Sequence, residues 1–340
     1  MKKIESTRVY FYILSFCVFG LFLLCFGRIS EAAFSDIGAA ARPLGMGGAF
    51  TAVADDASAT FWNPAGLVQL GHYELSSMYL DYPVPNVSSQ FISAVVPLQW
   101  DSALGLSLLF TGEPGLYQEQ TIAFSYGQDL YNFIPVLPVA IGLSIKRLSV
   151  SFMGVDPQDP LFKDHGTRVA NTTGTMGLIY QVNPSLKFAA VLDNLASSSL
   201  SLNPEEDAED EGTNKIYPSF RLGGAYTYRY RPDTAEQNST EQNKLIFSSE
   251  FVHERVTETV RLNQLRLGVE TWLRLPGDSA LAVRAGGNPS GKSTKNFSIG
   301  AGYRFAFGNT IGAQLDYAFS YYDPVYSIGN HHRFSLSIAF

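Results

Sequence analysis

The last ten residues, HHRFSLSIAF, alternate between two kinds of side chain. Successive residues of a strand point to opposite sides. Phe334, Leu336, Ile338 and Phe340 therefore share one face, and Arg333, Ser335, Ser337 and Ala339 the other. The rhythm recurs upstream. In NFSIGAGYRFAF, Phe297, Ile299, Tyr303, Phe305 and Phe307 oppose Ser298, Gly300, Gly302 and Arg304. In IGAQLDYAFSY, Ile311, Leu315, Tyr317, Phe319 and Tyr321 oppose Gly312, Gln314, Asp316 and Ser320. In QLRLGVETWLRL, Leu265, Leu267, Val269 and Leu273 oppose Arg266, Gly268, Glu270 and Arg274. In FRLGGAYTYRY, Phe220, Leu222, Tyr226, Tyr228 and Tyr230 oppose Arg221, Gly223, Thr227 and Arg229. Such period-two patterning predicts strands with one apolar and one polar side.

Fourteen segments follow Leu70, near 72–80, 87–98, 102–111, 118–127, 138–152, 168–181, 186–196, 216–230, 243–253, 262–275, 279–286, 295–307, 310–322 and 330–340. Tight turn sequences (QWD, VNPS, PGD, GN) follow even-numbered segments, and longer ones follow the third, fifth, seventh and thirteenth. That parity is the one expected of a barrel with short turns at one end and loops at the other. The connection 231–243 is long where a short turn is expected, which leaves room for two further strands there. A water-soluble sandwich would turn its polar face outward and would seldom carry Phe and Tyr at both strand ends. The pattern predicts an all-β fold: a 14-stranded antiparallel transmembrane β-barrel spanning 72–340, apolar outside and polar in its lumen.

Composition agrees. Only 16% of residues are charged, against about 25% in ordinary soluble domains. The first residues read as a signal peptide over 1–32: Lys2, Lys3 and Arg8, then an apolar stretch, then small residues at Ser30 and Ala32. Beyond it no stretch reaches the ~18 apolar residues of a membrane helix. Removing this segment takes away four basic and two acidic residues, so the remaining chain is more acidic than the full sequence at −7. An acidic chain without a basic arm is a poor nucleic-acid binder. Both cysteines, Cys17 and Cys25, lie in the expected signal peptide, so neither disulfide nor thiolate chemistry is expected. His72, His165, His253, His331 and His332 lack metal-ligand spacing. No metal, cofactor or catalytic set is expected, and the protein reads as a non-enzyme.

One stretch suggests otherwise. GGNPSGKST, from Gly286 to Thr294, fits the nucleotide-binding pattern G-x-x-x-x-G-K-[ST]. A P-loop needs a helix after the glycine-rich turn, whose amides hold the phosphates. Here KNFSIGAGYRF follows and alternates as a strand, so the stretch reads as an outer loop and no nucleotide is expected. The acidic run Glu205, Glu206, Asp207, Glu209, Asp210, Glu211 reads as a solvated loop. Pro97 and Pro114 sit near strand ends, where proline is tolerated at edges and bulges.

Residues 33–71 do not alternate. They are rich in Gly and Ala, with Gly45, Gly47 and Gly48 in GMGG, and small residues let backbones pack closely. DDASATFWNPAGL predicts two helical turns, with Asp55 or Asp56 as N-cap, Pro64 opening the second turn and Gly66 closing it. A compact insert of this kind ahead of a polar-lumened barrel predicts a hatch inside that lumen. Arg221, Arg229, Glu250, Arg266, Glu270, Arg274, Arg284, Arg304, Asp316 and Arg333 are then lumen charges, set to hold the hatch through ion pairs. An arginine cluster receiving a ligand head group is the sharper alternative, since Arg suits carboxylate geometry.

The stretch ARPLGMGGAFTAVADDASATFWNPAGL, Ala41 to Leu67, resembles the N-terminal signature of PorV/PorQ-type proteins within the FadL-like group of outer-membrane barrels. The resemblance implies fourteen strands and an N-terminal hatch to which Asn63, Pro64 and Ala65 belong. It implies passive transport of hydrophobic small molecules, or else a non-enzymatic partner role in an outer-membrane protein-secretion system. The C-terminal strand with Phe334, Leu336, Ile338 and Phe340 resembles the signal that the barrel assembly machinery of bacterial outer membranes recognises. Outer-membrane lipids, that machinery, and a hydrophobic ligand or secretion proteins are the expected partners, in the bacterial cell outer membrane.

Overall fold

Fourteen of the strands in the computed structural model close on themselves, each antiparallel to its neighbours. The structure describes residues 38–83, 85–131, 133–156, 167–196, 198–199, 215–230, 243–255, 261–275, 279–289, 296–307, 311–322 and 330–340. The expected signal peptide 1–32, the acidic run 205–211, the GKST part of the nucleotide-motif lookalike and the connection 231–242 lie outside these residues.

The strands are β1 (Glu74–Asp81), β2 (Ser88–Leu98), β3 (Ser102–Glu113), β4 (Tyr117–Asp129), β5 (Val139–Phe152), β6 (Arg168–Asn183), β7 (Leu186–Asp193), β8 (Ser198–Ser199), β9 (Lys215–Ile216), β10 (Ser219–Tyr230), β11 (Asn243–Arg255), β12 (Arg261–Leu275), β13 (Ser279–Asn288), β14 (Asn296–Phe307), β15 (Ile311–Tyr322) and β16 (His331–Ala339). All but β8 and β9 form the barrel, and β8 and β9 pair with each other. Closure matters because an open edge in hydrocarbon leaves backbone groups unpaired at several kcal/mol each. The seam is made by β1 and β16, from Glu74↔Ala339 to Asp81↔His332. Beyond it Tyr73 and Phe340 exchange backbone hydrogen bonds of 3.1 and 3.0 Å. Their rings stack at 5.8 Å, with planes 7° apart.

Burial is inverted relative to a water-soluble protein. Leu75, Tyr79, Ile92, Leu106, Phe124, Leu143, Ile145, Val283 and Phe334 are exposed on the outward face. Ser76, Ser93, Ser107, Ser125, Ser144, Ser248, Ser298, Ser320 and Ser335 are buried on the inward one. An apolar exterior around a polar interior is the membrane solution. Phe340 marks the turn end of the barrel; the opposite, loop end carries connections such as 153–167 and 194–218.

The expected fourteen strands stand: β10 and β11 pair directly up to Tyr230↔Asn243, so no strand enters the barrel between them. Two strand bounds are corrected. The seventh strand stops at Asp193 rather than 196, where Asn194 adopts a left-handed φ of 52°. The following strand starts at Ser219 rather than 216, since Pro218 has no N–H to give the ladder. Lys215–Ile216 form β9 instead, and Ile216 packs inward against Leu148 and Val150. At Pro97 the ladder holds: β2 and β3 pair continuously from Ser88↔Gly112 to Leu98↔Ser102.

The hydrophobic core sits inside the lumen, in the hatch. Its elements are α1 (Ala41–Gly45), α2 (Ala59–Trp62) and a 3-10 helix at Pro64–Gln69. Phe50, Trp62, Leu67 and a run of alanines form the cluster, with Trp62 edge-on to Phe50 at 6.2 Å and to Phe61 at 5.5 Å. Capping differs from expectation. Ser58, not Asp55 or Asp56, precedes α2, and its side chain makes no cap bond. Asp56 accepts the Ser58 amide at 3.0 Å one turn earlier. Gly66 lies within the 3-10 helix rather than closing it.

Candidate functional site

The hatch backbone comes closest to the wall at glycines, where the wall has no side chains. Met46 and Gly47 run against β12–β13: a Cβ on Gly286 would overlap the Met46 carbonyl carbon and the Gly47 nitrogen. The glycine that opens the nucleotide-motif lookalike thus admits a neighbouring backbone. On the other side Asn63 and Pro64 press on β5 and β6, where Cβ atoms on Gly142 and Gly177 would overlap them.

Asn63 fixes this second contact. Its Oδ1 accepts the Ala65 amide at 3.0 Å and caps the 3-10 helix, with Pro64 at the first helical position. Its Nδ2 donates to the Thr51 carbonyl at 3.0 Å and to Leu178 of β6 at 3.4 Å. Hatch amides without a partner inside a helix need acceptors, and the wall supplies them. Glu250 accepts from Phe50 and Thr51 at 3.2 and 2.8 Å, Glu74 from Ala57 at 3.0 Å, and Ser335 Oγ from Ala41 at 2.8 Å. Gln69, in the 3-10 helix, bonds Lys187 of the wall.

The charges meet at Arg42, a residue sequence reasoning passed over although it is a lone cation in GAAARPLGMGG. Its Nε and Nη2 donate to the two oxygens of Glu270, each at 2.8 Å. Its Nη1 reaches Asp55 at 2.6 Å and Asp56 at 2.9 Å. Glu270 also accepts from Arg284 Nε at 2.6 Å, and Arg284 Nη1 binds Asp316 at 2.6 Å. Gln314 bridges Asp316 to Arg304, whose guanidinium lies 4.4 Å from the Trp272 ring centroid. Arg42, Glu270, Arg284 and Asp316 are all buried, so the pairs are strong but dearly desolvated. Burial raises the Asp55 carboxyl, yet Arg42 and Lys244 outweigh it and hold it down at about 2. Burial dominates at Asp56 and, with Glu74 and Asp55 nearby, pushes its carboxyl up to about 6 against Arg42.

The other expected lumen charges separate. Arg266 Nη1 stands 3.6 Å from Glu250, beneath Gly48. Arg333 is buried and donates to Ser320 at 3.2 Å, near the loop end. Arg274 lies near the turn end, its amide donating to Asn243 at 2.9 Å. Arg229 is exposed there and donates to the Pro184 carbonyl at 3.0 Å, away from the hatch. Of the C-terminal set, Phe334, Leu336 and Phe340 are exposed on the outward face, and Ile338 is half-buried.

Arg221 belongs to a different place. Between the hatch and the loop end lies a cavity of about 100 Å³. Phe61, Phe91, Leu109, Ala123, Leu148, Ile216 and Val252 form the apolar part of its wall, and Glu119, Glu254, Arg221 and several hydroxyl side chains complete it. Lys146 and Asp193, also lining it, pair with each other. Arg221 is 3% exposed, its Nη2 reaches only the Phe61 carbonyl at 3.5 Å, and its Nε meets no hydrogen-bond acceptor among the described residues. An unmet donor on a buried charge costs about 1–3 kcal/mol. The guanidinium also lies 5.6 Å from the Trp62 ring centroid and attracts the Asp193 carboxylate. A chamber with apolar side chains and a few charged ones suits a molecule with an apolar body and one polar group.

No protein-family model matches the chain, and no characterised protein matches it in sequence. Its fold does find counterparts. A structure described as the CymD monoaromatic hydrocarbon channel aligns with TM-score 0.56 at 15% identity, covering 90% of this chain and 98% of that one. The Ralstonia pickettii toluene transporter TbuX aligns with TM-score 0.52 at 13% identity, over 90% and 98%. A Pseudomonas aeruginosa FadL homologue aligns with TM-score 0.51 at 13% identity, over 92% and 98%. None of these three is described as a secretion component, so the secretion-partner reading gains no support. With fourteen antiparallel strands closed around a lumen, the chain has the fold of the FadL-type outer-membrane barrels.

Proposed function

We propose that the protein sits in a bacterial outer membrane with its turn end in the periplasm, and passes hydrophobic small molecules through the barrel without enzymatic chemistry. The cavity above the hatch carries this reading. A barrel for ions or sugars would need an aqueous path, whereas here a packed hatch stands in the lumen and Phe61, Phe91, Leu109, Leu148, Ile216 and Val252 put apolar surface into the space above it. The fold likeness to channels described as carrying monoaromatic hydrocarbons and toluene supports the same class of cargo. Arg221 narrows it: its side chain lines the chamber, so a cargo with an apolar body and one acceptor would meet a cation there.

The test is uptake. Cells lacking their own hydrophobic-compound channels receive the wild-type gene, an empty vector, or Leu148→Arg, which places a charge in the apolar wall. Entry of an alkylbenzene and of a long-chain carboxylate is then measured. Wild type should admit both faster than the vector, and Leu148→Arg should lose that gain. Equal entry with wild type and vector overturns the reading.

A further inference from the structure

The outward face of β4–β6 changes character at one level. Pairing aligns its side chains in rows across the three strands. Toward the turn end the rows are apolar, with Leu143 beside Met176 and Ile145 beside Phe124. Two residues further along β5, about 7 Å away, comes Arg147, exposed and aligned with Thr172 of β6. Above it the rows are polar, with Ser149 beside Gln120. Arg168, also exposed, folds back into this level: its Nη2 donates to Gln120 Oε1 at 3.2 Å and to Ser149 Oγ at 3.3 Å. Two exposed arginines therefore occupy neighbouring levels immediately above the apolar belt. Neither has a carboxylate partner among the described residues, although the buried Arg42 and Arg284 are both paired with acids.

We propose that this face binds the phosphorylated head group of a glycolipid in the outer leaflet. The inference rests on the reading that the loop end faces outside. Arginine's planar fork matches phosphate oxygens, and the level is where the apolar belt ends and head groups begin. The surrounding glutamine, serine and threonine side chains offer partners to sugar hydroxyls. A zwitterionic phospholipid brings its own cation to each phosphate, so it complements two arginines without a carboxylate partner among the described residues less well than a bisphosphorylated sugar.

The full barrel, purified in detergent, is incubated separately with bisphosphorylated lipid A, its monophosphorylated form and phosphatidylethanolamine, and retention is read by native mass spectrometry. Wild type should retain the bisphosphorylated lipid best, the monophosphorylated form less, and phosphatidylethanolamine least. The double variant Arg147→Gln/Arg168→Gln should retain the bisphosphorylated lipid about tenfold less, with phosphatidylethanolamine unchanged. Equal retention of all three lipids by wild type overturns the proposal, and that comparison stands even if the variant does not assemble. So does a variant that retains lipid like wild type. Apolar-compound uptake by the variant should match wild type; if it falls too, the arginines hold the barrel together and the proposal is overturned. Absence of uptake by wild type would instead strike the transport reading.

Discussion

Arg42 and Glu270 meet as two parallel hydrogen bonds of 2.8 Å across 228 residues of sequence. One residue belongs to the hatch and the other to the wall, so this fork is the bolt between them. Removing one partner of a buried pair strands a charge and costs about 3–5 kcal/mol. Arg42→Met should free the hatch while the barrel still forms. Heat-modifiable gel mobility should persist, and conductance in a reconstituted bilayer should rise. Unchanged conductance would show that the hatch is held elsewhere.

Gly286 gives a purely steric test. Its β-carbon would occupy the path of Met46 and Gly47. Gly286→Ala should displace this half of the hatch without touching a charge, raising leakage while strand pairing survives. Gly71, with open space where its Cβ would lie, serves as control: Gly71→Ala should leak no more than wild type.

Arg221 should discriminate among cargoes. Arg221→Met keeps an unbranched apolar stem but removes the fork. Entry of a long-chain carboxylate should fall about tenfold, the scale of a hydrogen bond to a charged group, with alkylbenzene entry unchanged. A parallel fall for both compounds would mean that Arg221 only shapes the chamber.

Hatch docking should depend on pH through Asp56. Its carboxyl is raised to about 6 in the folded hatch, above the usual carboxylate value of ~3.9. A raised acid favours the docked state when protonated, and that stability is lost as pH rises through about 6. Asp55 opposes this only in stronger acid, since its carboxyl is held at about 2. Leakage should therefore be lower at pH 5 than at pH 8, and Asp56→Asn should flatten the dependence. A wild-type profile without slope over that interval, measured as bilayer conductance, would contradict the assignment.

The period-two rhythm in segments such as Phe297–Phe307 and Arg333–Phe340 was enough to specify a barrel, its sidedness and fourteen strands. Strand parity is a local property, and lipid on one side with water on the other enforces it at every residue. Parity says that Glu270, Arg284 and Arg229 all point inward; it is silent on height and on angle around the cylinder. Those depend on closure, which sets β12 and β13 against Met46 and Arg42 and leaves Arg229 open at the turn end. The lone arginine of the hatch became its central ion-pair partner, and the first glycine of GGNPSGKST became a contact surface, only once distant segments were brought together. Local alternation fixed which way each side chain faces, while charge pairing and close packing act through space, so the bolt, the hatch contacts and the chamber at Arg221 were decided by the closed tertiary structure.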